Sequence, residues 1–138
     1  MSLSNATENA ALKMFLQGTD PSFRAGASQY VALFTSTATL GELEAGTLTN
    51  ECNYTGYARK LITKATAWTD NGSTFNNSGL IQFDPCTGGS NTVRYFGIVD
   101  TPSGAVNMMI SGQLAGDLAV SSGIQPQFAQ NALAVSAD

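Results

Sequence analysis

Along residues 29–35, QYVALFT, apolar side chains stand on both faces of an extended segment: Val31 and Leu33 on one, Tyr30, Ala32 and Phe34 on the other. A strand wetted on one side alternates apolar with polar, so this segment predicts a central strand covered on both faces. YARKLIT (57–63) has strand character too, with Tyr57, Arg59 and Leu61 on one side and Ala58, Lys60 and Ile62 on the other. Further strands are predicted at LIQF (80–83), TVRYFGIVD (92–100), VNMMISGQL (106–114) and NALAVSA (131–137). Between them lie turn clusters: Asp70-Asn71-Gly72, a hairpin signal, DPCTGGSN (84–91), the Gly116-Asp117 step and Ser121-Ser122-Gly123. Short strands separated by Gly- and Asn-rich turns predict a mainly β chain, an antiparallel β-sandwich of jelly-roll-like type.

Only the N-terminus reads differently. Asn5 is a candidate N-cap with Glu8 as its capping-box partner, and Gly18 is a natural stop. One short N-terminal helix is therefore expected, with Ala11, Leu12, Phe15 and Leu16 as its apolar side. That side packs either on its own domain or, as an arm, on a neighbouring subunit. The division that follows is an N-terminal helical arm over 1–18 and a β-sandwich domain over 19–138. Residues 36–56 have no convincing period, and a stretch that long is expected to contact a partner.

The chain has 138 residues, 43% of them hydrophobic and only 12% charged, with a net charge of −4. A chain of this length buries enough surface to fold as one domain without a metal or a disulfide. The acidic balance argues against nucleic-acid binding, and the Arg59, Lys60, Lys64 group reads as a solvated strand edge. No segment has the run of apolar residues that a membrane span needs, and the N-terminus lacks a signal-peptide pattern, so the protein is expected to be made and used without secretion. On that footing Cys52 and Cys86 are expected to be free and buried, and the Asn-x-Ser/Thr triplets at Asn5, Asn53, Asn71 and Asn76 carry no meaning.

Chemistry is sparse. There is no histidine, which removes the commonest general base and rules out an ordinary zinc site on two cysteines. Glu42 and Glu44 share a loop, while Asp84, Asp100 and Asp117 lie in turn contexts where Asp usually bonds its own backbone. No catalytic, cofactor-binding or metal-ligating residues are assigned, and no enzyme is expected. Arg59 and Arg94 sit inside apolar strands, which implies either a structural ion pair or an intersubunit contact. Candidate interface residues are Leu12, Phe15, Leu16, Leu40, Leu43, Arg59 and Arg94.

The order YVALFTS, GYAR, VRYFGIVD, GQL and SSGIQPQFAQNALAV, from about Gln29 to Asp138, resembles a family of small β-sandwich virion proteins of tailed bacteriophages. Members are labelled tail-fibre proteins, and similar proteins serve as capsid cement or decoration. This chain carries Arg94-Tyr95 where the family usually has Thr-His. The resemblance implies a structural role and no catalytic residues. Its leading expectation is a decoration protein on the outer capsid surface, made in the host cytoplasm, that braces major capsid protein subunits and self-associates as a dimer or trimer. The alternative is a tail-fibre or other tail-associated protein, with Tyr54 and Trp68 as aromatic platforms for host recognition. The plainer reading of Trp68 is a core residue under the Asn71-Gly72 turn. The GYAR and FGIVD blocks are expected to be scaffold.

Overall fold

The computed structural model describes residues 2–105 and 107–136. Val106 and Ala137, which the predicted strands over 106–114 and 131–137 include, lie outside the described residues, as do Met1 and Asp138 at the ends of the drawn domains. In chain order the elements are β1 (Ser2–Leu3), α1 (Asn5–Gln17), β2 (Ser28–Thr35), α2 (Leu40–Glu44), β3 (Lys60–Thr63) and β4 (Trp68–Asp70). There follow β5 (Thr74–Asn77), β6 (Ile81–Gln82), β7 (Asn91–Val99), β8 (Met108–Val120), β9 (Gln127–Phe128) and β10 (Ala134–Ser136). A five-stranded sheet has the order β1-β8-β7-β2-β3, beside a three-stranded sheet (β10-β5-β4) and a two-stranded one (β6-β9). The strand pairings are antiparallel, and the protein is mainly β and sandwich-like.

Strand β2 lies inside the large sheet, between β7 and β3, and both of its faces are covered. On one side Val31 and Leu33 join Val93, Phe96 and Ile98 against Phe83, Phe128, Leu133 and Val135 of the small sheets and their connections. On the other, Ala32 and Phe34 join Tyr95, Val99 and Met108 against Ala38 and Leu43. The second cover comes from the long loop, which contains α2. Thr39 caps that helix in a capping box with Glu42. Residues 36–56, which show no period in the sequence, thus contribute Ala38 and Leu43 to a packed layer.

Gly97, in the middle of β7, is required by this second layer. A Cβ there would stand 3.1 Å from Phe34 Cε2 and from Met108 Cε. The buried Asn77 binds the small sheet to the chain's last segment: its Nδ2 donates to the carbonyls of Gly79 and Ala129, and its Oδ1 accepts from Leu133 N. Fully paired, it avoids the cost of an orphaned polar group.

Three boundaries differ from expectation. Ser4, not Asn5, caps α1: its hydroxyl accepts from Thr7 N, and Gly18 closes the helix in the left-handed region. Tyr57 and Arg59 precede β3 instead of belonging to it, because their side chains are taken up by the loop described below. Asp117 is not in a turn. Strand β8 runs through Gly116-Asp117 to Val120, and the register against β7 shifts between Val93↔Leu118 and Tyr95↔Gln113. Extra residues on β8 bulge outward there and place Asp117 beside Arg94.

Candidate functional site

The GYAR block forms a closed polar network. Residues 50–52 run beside the end of β2, with Thr35 N donating to Asn50 O and Cys52 N to Leu33 O. This brings the Glu51 carboxylate over Arg59, whose Nε and Nη2 donate to it at 2.8 Å each. The Arg59 side chain is 5% exposed and that of Glu51 16%. Arg59 also donates to the carbonyls of Thr101 and Gly104, which ties the loop to the β7–β8 turn. Tyr57 donates its hydroxyl to Glu51 and accepts from Leu33 N. Gly56 starts the block at φ 102°, and a Cβ there would lie 2.6 Å from the Pro85 carbonyl oxygen.

An aromatic row continues inward: Tyr54 meets Tyr57 edge-on, Tyr57 stacks on Phe83, and Phe83 meets Phe128 edge-on. The surroundings set the protonation states. Hydrogen bonding to Glu51 holds the Arg59 guanidinium above its ordinary pKa, while burial and then Glu51 drive the Tyr57 phenol far upward. Burial pushes Tyr54 up to about 12, and burial followed by Glu51 does the same to Cys52. A cavity of about 430 Å³ opens over this network between Tyr57, Arg59, Pro102 and Ser103. Its charged groups are already paired with one another. The block ties β2 and the loop to the β7–β8 turn.

Other carboxylates are similarly committed. Asp117 receives both prongs of Arg94 at 2.8 and 2.7 Å, and that pair lowers the carboxyl's pKa. Asp100 accepts from the backbone and side-chain nitrogens of Asn107, Asp70 caps the hairpin turn through Gly72 N, and Glu42 caps α2.

The first helix is the contrasting region. None of its residues is buried, and the strand it chiefly meets is β8. Leu12, Phe15 and Leu16, at i, i+3 and i+4, form one ridge that is 59%, 76% and 79% exposed. Another side, bearing Thr7, Ala11 and Met14, overhangs the large sheet and encloses a trough of about 450 Å³ with Phe23, Met109 and Ile110. Lys64 fixes the far wall by donating its ammonium to the carbonyls of Phe23, Arg24 and Ala25.

The interface residues expected from sequence therefore separate. Leu12, Phe15 and Leu16 share the exposed ridge. Leu40 is 43% exposed on α2, whereas Leu43, on the same helix, is fully buried in the layer with Ala32, Phe34, Tyr95, Val99 and Met108. Arg59 is internal and pairs with Glu51, and Arg94 pairs with Asp117 on the sheet surface. As a platform, Tyr54 is excluded: it is buried and its hydroxyl donates to Asp84 O. Trp68 is half-buried, packed against the core beside Phe75 and Val135. The trough residues Met14, Phe23, Met109 and Ile110 were not among the expected ones. Their one sequence signal is the spacing of Thr7, Ala11 and Met14, a second helical face beside the ridge.

Residues 2–136 match the family model described as Gp80, podophage GP4 fiber I protein gp80, and the chain belongs to that family. No curated protein matches it. The family is one of tailed-phage virion proteins, and its name agrees with the tail-fibre reading of the sequence, not with capsid decoration, the leading expectation. Among the described residues, no helix is long and apolar enough to cross a membrane.

Proposed function

We propose that this protein is a structural component of a tailed-phage virion, located at the tail with a fibre, and that it performs no chemistry there. The observation carrying this reading is the fibre-family match, which runs through the whole described fold from β1 to β10. Geometry supports the structural part. Glu51, Asp100, Asp117, Asp70 and Glu42 all serve to hold loops, turns or ion pairs together. Capsid cement is the weaker reading, since Leu43 and Arg59, two of the residues expected to brace the shell, face inward. The partners proposed are other virion proteins, without nucleic acid or membrane, in keeping with the net charge of −4.

Gold-labelled antibody against the chain, imaged on intact virions, tests the location. Label confined to the tail, with a copy number at least about an order of magnitude below the major capsid protein, is the expected result. Label spread over the head at near-equal copy number would return the protein to the capsid surface.

A further inference from the structure

We propose that Asn71 is a site of self-modification: its side-chain amide is lost to attack by the Gly72 backbone nitrogen, and the folded hairpin holds that reaction back through Asp70 and Asn76. The chain undergoes this reaction and catalyses nothing on another molecule, so the proposal stands apart from the location given above.

The step needs only the chain and water. The Gly72 nitrogen attacks Asn71 Cγ; an N–Cγ bond forms, the Cγ–Nδ2 bond breaks, and the Gly72 amide proton leaves with Nδ2 as ammonia. Water then opens the cyclic imide. Cleavage at Cγ gives aspartate, and cleavage at the backbone carbonyl gives isoaspartate. The attacking nitrogen must reach Cγ unhindered, and glycine is the residue that puts no side chain in its way. Of the asparagines in the chain, Asn71 is the one followed by glycine. Asp70, Asn71, Gly72 and Ser73 are all exposed, so water reaches the amide freely.

Geometry sets the rate. Asn71 N donates to Thr74 O at 2.9 Å and closes the β4–β5 hairpin, with Gly72 and Ser73 at its tip. Gly72 N donates to Asp70 Oδ1 at 2.8 Å. The proton that must leave is therefore held, and the carboxylate beside it opposes negative charge building on the nitrogen. Asn71 Nδ2 donates to Asn76 Oδ1 at 2.8 Å, which pins the amide against the next strand. Asn76 is itself anchored, since its Nδ2 donates to Leu133 O at 3.4 Å. Attack requires the reacting atoms at about 3–3.5 Å and aligned, so both side-chain bonds must open first. Each slows the reaction by roughly fivefold, about 1 kcal/mol.

The product works against the hairpin. A carboxylate replaces the donor that faced Asn76 Oδ1 and stands next to Asp70. Isoaspartate also adds a backbone carbon inside the turn, which strains the Asn71–Thr74 closure. Strand β4 lies at the edge of its sheet and carries the half-buried Trp68, so loosening begins at a covered part of the core.

The full chain, incubated at mildly alkaline pH both folded and in concentrated urea, is digested and its asparagine peptides are weighed. Chromatography separates isoaspartate from aspartate. In urea Asn71 should convert before every other asparagine, and in the folded chain at least roughly tenfold more slowly. Asp70→Ala and Asn76→Ala, each folded by circular dichroism, should convert roughly fivefold faster than the folded wild type. Thr69→Ala removes a hydroxyl contact to Ser78 in the same region, so it controls for general loosening and should leave the rate unchanged. Another asparagine outpacing Asn71 in urea overturns the proposal, as do equal rates folded and unfolded. So does slower conversion in Asp70→Ala, which would make the carboxylate a base, or acceleration by Thr69→Ala equal to that of the other two. If the variants do not fold, the wild-type comparison decides alone.

Discussion

Two arginine–carboxylate forks of nearly equal geometry differ in their access to water. In the Glu51–Arg59 pair the side chains are 16% and 5% exposed; in Asp117–Arg94 they are 40% and 37% exposed. Arg59→Met keeps the stem's volume and removes the guanidinium. It deletes two charge-assisted bonds of 2.8 Å and two carbonyl bonds of 3.1 Å, leaving the Glu51 carboxylate with the Tyr57 hydroxyl at 2.8 Å. Stranding one member of a buried pair costs about 3–5 kcal/mol. Tyr57 and residual water contact put this site near the lower end, about 3 kcal/mol, which for a domain of this size lowers the melting midpoint by roughly 10 °C. Adding Glu51→Met removes the stranded charge, so the double variant should be less destabilised than Arg59→Met alone. Arg94→Met loses a fork that water can replace, and its midpoint should scarcely move. Thermal unfolding followed by circular dichroism at neutral pH compares the variants directly. If Arg59→Met shifts the midpoint no further than Arg94→Met, burial is not what gives the GYAR network its weight and the reasoning fails.

Cys52 gives a pH signature. Its folded-state pKa is raised to about 12 from 9.0, so the stability due to its neutral thiol is complete below pH 9.0 and lost as pH rises through about 12. Cys52→Ala should flatten the alkaline limb of urea-unfolding stability just above pH 9.0, before Tyr54, raised from 10.0, contributes; an unchanged limb contradicts this. Gly97→Ala pushes a methyl group against Phe34 and Met108 and should cost about 1–3 kcal/mol in urea titrations, a neutral result refuting the close approach. Leu43→Ala should cost about 2–5 kcal/mol by the same assay, with Leu40→Ala, 43% exposed on the same helix, far milder. Equal costs for the two leucines would mean that α2 is not packed on the sheet.

The central strand was legible because burial on both faces leaves an unbroken apolar run at 30–34, and the Asp70-Asn71-Gly72 turn because few residues tolerate φ of 90° as Gly72 does. Helix α2 was harder to see. It spans five residues, too few to display a period, and buries only Leu43, although Thr39 and Glu42 wrote its capping box into the sequence. Strand β8 concealed its length, since Gly116-Asp117 has the composition of a turn and occurs in a bulge. For the helix ridge, spacing revealed the apolar residues but not which side met the sheet. The sequence grouped Ala11 with Leu12, Phe15 and Leu16, but in the structure Ala11 lines the trough with Met14 while the other three face solvent.

The tether of β1 to β8 has a consequence for biosynthesis. Ser2 pairs with Ser111, so the ribosome must add more than three quarters of the chain before β1 has its partner strand. At roughly 5–20 residues per second the wait is about 5–20 s. Throughout it, both apolar sides of the first helix lack the cover of the large sheet. Docking of the helix on the large sheet is therefore a late step, completed only after β8 has been made.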